Sequence, residues 1–236
     1  MNAVGIIPAR WGSSRYPGKP LAAIAGRPMI QWTWEGARRA ERLRDVIVAT
    51  DDERIAAAAR SFGATVALTR SDHPTGTDRL AEVAAGLDDD IVVNIQGDEP
   101  LISAAAIDAV VAVLENDPGA EMSTAVHPLS PGAQDDRNRV QARLDASGRA
   151  IDFARLPSEP GFDWQHVGLY AYRRAFLLQF ITLPQTERER SEQLEQLRAL
   201  DHGHAIGAAI LYDWHSVPVD VPEDIAQVEA AIAAAT

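Results

Sequence analysis

The first half of the chain alternates a short apolar run with an amphipathic one four times over, and few folds accept that rhythm. Residues 4–9, 45–49, 65–68 and 91–95 read as buried strands, and 28–40, 52–62, 77–85 and 103–116 as the helices between them. Strands that alternate with helices pair in parallel through right-handed crossovers, so the expected architecture is α/β, an open, mostly parallel, twisted sheet with helices on both faces. Ligands of such sheets sit beyond the carboxyl ends of the strands. The loops that leave residues 9, 68 and 95 are therefore the places to look for a site.

After Ala9 comes a loop rich in Gly, Ser and Pro that carries Arg10, Arg15 and Lys19. Small residues leave backbone N–H groups bare toward an anion, and the cations supply charge that a polyphosphate needs. Neither the Walker spacing nor the dinucleotide G-x-G-x-x-G is present, so an ordinary βα turn with solvated cations is the competing reading. Residues 96–100 (QGDEP) turn out of the fourth strand, and Asp98 there is either a turn residue or a Mg²⁺ ligand. Residues 69–79 open the third helix, with Thr75 or Thr77 as its cap. Asp220, ahead of Val221-Pro222, reads from the residues alone as a helix N-cap.

The second half changes character. Residues 121–127, 140–145, 151–153 and 166–173 read as antiparallel strands, 174–181 and 189–201 as helices, 206–212 as a strand and 222–234 as a closing helix that packs back on the first half. No repeat or long linker interrupts the chain, so one domain over 1–236 is expected. Its parts would be 1–120, 121–210 and 211–236.

Composition closes off other classes. With 34 acidic against 22 basic side chains the net charge is −12, which disfavours a surface that coats nucleic acid or anionic membrane. Cysteine is absent, which removes disulfides, thiolate catalysis and Cys-ligated zinc. No stretch reads as a signal peptide or a membrane span, and a cytoplasmic location with no membrane insertion is expected. His202, His204 and His215 read as helix-end and surface residues, not as a metal cluster, and no G-x-S-x-G elbow accompanies Ser13 or Ser14.

Three long motifs, IIPARWGSSRYPGKPL at 6–21, LTRSDHPTGTDRLAEV at 68–83 and VNIQGDEPL at 93–101, resemble the 3-deoxy-manno-octulosonate (KDO) cytidylyltransferase family of sugar-activating cytidylyltransferases. The likeness continues through HVGLYAYR at 166–173, LEQLR at 194–198 and VDVPED at 219–224, and so spans nearly the whole chain. It implies a nucleotidyltransferase fold with a smaller antiparallel lobe for sugar binding and dimerisation. It also implies transfer of the cytidylyl group of CTP to a 2-keto sugar acid, with Mg²⁺ as cofactor and a homodimer as assembly. Carried over residue by residue, Arg10, Arg15, Lys19, Asp98 and Asp220 would be catalytic, and Asp98 and Asp220 would share the metal. CTP would be met by Pro8, Ala9, Arg10, Arg15, Lys19, Arg70, Asp72, Thr75, Gly76, Arg79 and Gln96. The sugar acid would be met by Gln96, Arg155, His166, Tyr170, Glu195 and Gln196. For Asp220 the likeness displaces the N-cap reading.

Two departures fall on the sugar side. Only residues 156–165 separate the strand of Arg155 from that of His166, where the family has a longer segment, and WHSVP at 214–218 replaces a Gly-rich approach to Asp220. The acceptor could thus be an 8-amino analogue or another ulosonic acid. A retaining sugar transferase would show D-x-D where this chain has Gly-Asp-Glu, and a non-catalytic nucleotide-binding module would have lost the metal carboxylates.

Overall fold

The computed structural model describes residues 1–12 and 16–234. The chain gathers into two compact units, residues 2–108 with the segment from His215 onward, and residues 109–214 with Met1. Each is taken by itself.

The first unit contains β1 (Ala3–Ala9), β2 (Ala23–Ile24), β3 (Arg27–Pro28), α1 (Met29–Ala37), β4 (Leu43–Thr50), α2 (Glu53–Ser61), β5 (Thr65–Leu68), α3 (Gly76–Ala84), β6 (Ile91–Asn94) and the start of α4 (Ala104–Asn116). Its strands lie in the order β5-β4-β1-β6, all parallel. Val4, Ile6 and Ile7 of β1 and Ile91, Val92 and Val93 of β6 are fully buried, which is why these strands read as continuous apolar runs and not as alternations. The chain steps outward from β1 to β4 and β5, then returns to the far side of β1 with β6. That reversal opens a crevice beyond the carboxyl ends of β1 and β6.

Helix starts follow local chemistry. The Asp52 side chain caps α2, and Thr75 with Asp78 forms a reciprocal capping box on α3. The helix expected from residue 28 begins one residue later. Ahead of it is a small hairpin, turning at Ala25 (φ 46°) and Gly26 (φ 78°), that the sequence reading lacked. An Ala-Gly turn of this primed kind carries none of the Asn or Asp that normally announce it. The closing helix, Ile225–Ala234, packs on the same unit, with Val219 and Val228 buried in one cluster with Ile24 and Met29.

The second unit contains β7 (Met122–Pro128), β8 (Gln141–Leu144), β9 (Arg149–Ala154), β10 (Trp164–Arg173), α5 (Arg174–Phe180), α6 (Glu187–Glu192), α7 (Gln196–Asp201) and β11 (Ile206–Ile210). The strand order is β10-β7-β11-β9-β8, and β8 pairs again with β10 through Gln165 and Trp164. Only β7 and β11 run parallel, their residues crossing α4 where Gly207 faces Val113 too closely to admit a Cβ. The helix expected over 189–201 is broken: Gln193 adopts the left-handed conformation (φ 55°) between α6 and α7. The break lets Glu189 of α6 fold against Arg198 of α7, a buried pairing that a continuous helix would forbid nine residues apart. The strand expected to reach 212 stops at Ile210.

Candidate active site

A cleft of about 280 Å³ opens at the crevice beyond β1 and β6. Pro8, Ala9 and Arg10 line it from the end of β1, Thr75, Gly76 and Arg79 from the start of α3, Gln96, Gly97 and Asp98 from the end of β6, and Lys19 and Asp220 from opposite parts of the chain. Gly97 suits its place, because a Cβ there would stand a tight 3.2 Å from the Pro8 carbonyl oxygen. The bare backbone lets the loop after β6 lie close against the end of β1 and set Asp98 at the crevice mouth.

Two hydrogen bonds and one buried side chain bring the late segment to the Asp98 loop. The Val219 N–H donates to the Asp98 carbonyl oxygen at 2.9 Å, Val219 is fully buried, and the Ser216 hydroxyl donates to the Glu99 carboxyl. Asp220 then faces Lys19, whose Nζ lies 2.8 Å from Asp98 Oδ2, 2.8 Å from the Val219 carbonyl oxygen and 4.0 Å from Asp220 Oδ1. The N-cap reading of Asp220 is corrected here. The N-cap position falls to Val221, and Asp224 inside the turn accepts back from the backbone N–H groups of Asp220 and Val221 at 2.7 and 2.9 Å.

Glu99 has no assigned role in the sequence reading, yet it belongs to this cluster. Burial pushes its carboxyl up to about 7, and the charges of Asp98 and Asp220 add to the push while Ser216 and Lys19 oppose it. The acidic pair Asp98-Glu99 was the signal available. His73, also unassigned, lines the cleft with its side chain largely buried against the Glu82 carboxylate, which also accepts from the Arg70 N–H at 3.1 Å.

Other expected residues divide clearly. Arg79 is buried, donates to the Thr69 hydroxyl and pairs with Asp51 at 3.1 Å, so it pins α3 against the sheet. Arg70 and Asp72 pair with each other at 2.9 Å in solvent and do not line the cleft. Arg10 is exposed at the mouth. Arg15 lies outside the described residues.

In the second unit the strand β10 carries a two-residue bulge. Val167 pairs with Ala125 and Tyr170 with the next residue, Thr124, leaving Gly168 and Leu169 unmatched. Along a regular strand His166 and Tyr170 would stand roughly 13 Å apart. The bulge brings their rings to 5.4 Å, with His166 also edge-on to Phe153 at 5.1 Å. The Tyr170 hydroxyl donates to Gln196 Oε1 at 3.2 Å, and Gln196 is buried with its Nε2 unpartnered. Glu195 adjoins at the start of α7, and burial together with its charge raises the Tyr170 phenol above its ordinary range. Arg155 is spoken for by backbone oxygens, donating through Nε to Glu192 at 2.9 Å and through Nη1 to Arg137 at 3.3 Å. His202 bonds the Pro184 carbonyl, and His204 the Glu121 carboxylate.

His166 lies 2.9 Å from the Thr124 hydroxyl, which sends its one proton to a β10 carbonyl and so accepts from Nε2–H. Burial lowers the imidazole to about 3. The unfolded chain therefore binds the proton first as pH falls below the ordinary value of 6.5, and folding stability is lost progressively on the acid side. This residue is expected to remove about 2 kcal/mol between pH 6 and pH 4.5. Urea titrations at the two pH values check it, and the His166→Gln variant should lack that part of the slope.

A family model for cytidylyltransferases matches residues 4–206. The chain belongs to the cytidylyltransferase family. Among relatives of this cytidylyltransferase, a 3-deoxy-manno-octulosonate cytidylyltransferase of Syntrophotalea carbinolica is 46% identical, covering 98% of each chain. One of Solibacter usitatus is 48% identical over 95% of this chain and 92% of the relative. A solved CMP:2-keto-3-deoxy-manno-octonic acid synthetase complexed with CTP superposes with a TM-score of 0.95 at 37% identity, over the whole of both chains. The mixed α/β nucleotidyltransferase fold is thereby shared. No helix of this cytidylyltransferase, among the described residues, is long and apolar enough to cross a membrane.

Proposed function

We propose that this nucleotidyltransferase transfers the cytidylyl group of CTP to 3-deoxy-manno-octulosonate, releasing pyrophosphate. The observation that carries the reading is the convergence of Asp98 and Asp220, from distant parts of the chain, on one cation at the mouth of a strand-end cleft. The relatives' activity supports the substrate pair.

The sugar's anomeric hydroxyl attacks the α-phosphorus in line and gives up its proton to water, the bond to the β-phosphate oxygen breaks, and pyrophosphate leaves with that electron pair. Such transfers need positioning and charge stabilisation more than covalent help. Arg10, Arg15 and Lys19 hold the triphosphate, and the N-terminal backbone of α3, fixed by the capping box and by Arg79, faces it with Thr75 and Gly76. Gln96, by the family likeness, serves both CTP and the sugar acid. His166, Tyr170, Glu195 and Gln196 receive the sugar acid, the unpartnered Gln196 amide donating to it, while Arg155 fixes the adjoining backbone. A donor set of two carboxylates facing one cation fits a divalent metal, Mg²⁺ on this reading, held by Asp98 and Asp220. When bound it stabilises charge at the α-phosphate as a Lewis acid. The family likeness also supports a homodimer and a cytoplasmic location.

Pyrophosphate release tests the proposal, with four nucleoside triphosphates crossed against KDO, its 8-amino analogue and a nine-carbon ulosonic acid. Release with CTP and KDO, abolished by chelation, is expected. Release with another nucleotide, or with no sugar acid at all, overturns it.

A further inference from the structure

Lys19 is the only lysine in the chain. Every other basic side chain is an arginine, whose planar fork suits two-point pairing, whereas an ammonium is a compact charge on a flexible stem. This one ammonium stands between the two carboxylates, bonded to Asp98 Oδ2 and the Val219 carbonyl oxygen at 2.8 Å each and facing Asp220 Oδ1 at 4.0 Å. A divalent cation held by the same carboxylates would need the same ground, and two cations do not share a partly buried site at such separations.

The backbone of Lys19 has little freedom to move aside. Gly18 before it is left-handed (φ 73°), bonded through its N–H to the Trp11 carbonyl at 3.0 Å, and so close beneath the Trp11 ring that a Cβ would come within 2.9 Å. The Arg54 guanidinium lies 3.3 Å above that ring and is gripped in turn by Asp52, which caps α2. Only the four-carbon stem can swing. Its open direction is the cleft that it lines with Arg10, Thr75 and Gly76, where the triphosphate is proposed to lie.

We infer that Lys19 is an exchangeable counter-ion that couples metal entry to nucleotide binding. It holds Asp98 and Asp220 together until a triphosphate draws the ammonium onto its phosphates, and the two carboxylates then accept the divalent cation. The inference rests on the metal-dependent nucleotidyl transfer proposed above. The coupling is reciprocal, so what the nucleotide does for the metal, the metal does for the nucleotide.

Chelation of metal by CTP alone would also produce coupling, so the decisive measurement omits nucleotide. Mn²⁺ binding to the intact chain is followed by the paramagnetic resonance of free Mn²⁺, in wild type and in Lys19→Met and Lys19→Gln, without and with CTP. The nucleotide-free affinity is expected to rise by about tenfold or more in both variants, within the usual range of such couplings. Equal nucleotide-free affinities overturn the exchange and leave the metal site standing. No protein-bound Mn²⁺ in wild type even with CTP overturns the metal site and the exchange together. A sole lysine adds a measurement free of any substitution: ¹⁵N-lysine gives one side-chain amine resonance. That resonance should move on addition of CTP without metal and hold still with Mg²⁺ alone. Indifference to CTP overturns the exchange.

Discussion

Asp98→Asn is expected to lower kcat/KM for pyrophosphate release by about a thousandfold, while the protein stays folded. The size reflects the loss of one of the two carboxylates proposed to hold the cation that would meet the developing phosphoryl charge, and an electrostatic contact of that kind is typically about 3–4 kcal/mol of barrier. Two features keep the fold out of the result. The contact that draws Val219 in uses the backbone carbonyl of Asp98 and not its side chain, so the strap carrying Asp220 keeps its anchor. Glu99 also gains from the change, because the Asp98 charge is among the causes that push its carboxyl up to about 7. Thermal unfolding of Asp98→Asn should therefore be no lower than wild type, as expected where an active site concentrates like charge at a cost in stability. Wild-type turnover in this variant would end the proposed chemistry.

Glu189→Ala is expected to cost about 3–5 kcal/mol of folding stability in urea. Its carboxylate accepts from Arg198 Nε at 2.9 Å and from Nη2 on its other oxygen, and both side chains are under a tenth exposed. Truncation takes its two-point partner from a guanidinium buried over the Phe180 ring, with Glu195 farther off at 3.7 Å. It also removes the reciprocal cap on α6, where the Glu189 carboxylate answers the Thr186 N–H. Because α7 begins beside Arg198 and bears Gln196 against Tyr170, the same variant should raise KM for the sugar acid more than for CTP. Joint double substitution to a well-packed apolar pair should recover much of the stability, since the penalty lies in the stranded charge.

The parallel half of the fold was legible because strands buried on both faces leave unbroken apolar runs, as β1 and β6 do. The cations after β1 and the carboxylate after β6 were legible as loop chemistry at strand ends. Asp220 joined them only through the family likeness, for nothing local to it says that Val219 is buried and bonds across to Asp98. Capping statistics pointed Asp220 to the helix start, where the structure has Val221 at the N-cap and Asp224 accepting back from inside the first turn. In the second unit, residues 166–173 read as a plain strand, and nothing in that reading announced the bulge that carries His166 toward Tyr170. The break at Gln193 escaped because helical periodicity is nearly continuous across it, and only the buried Glu189–Arg198 pairing explains why it is there. Arg70 and Asp72 matched a motif by order, yet the structure turns them into each other and away from the cleft.

The first unit is assembled from two stretches of chain with the whole of the other unit spliced between them. During synthesis Asp98 emerges from the ribosome well before Asp220, and a folding sheet must wait with an exposed groove where the buried Val219 will later lie. A nascent chain halted between residues 99 and 215 has every phosphate-facing cation described for the cleft but only one of its two carboxylates. Activity should therefore switch on with release of the full-length product instead of growing as translation proceeds.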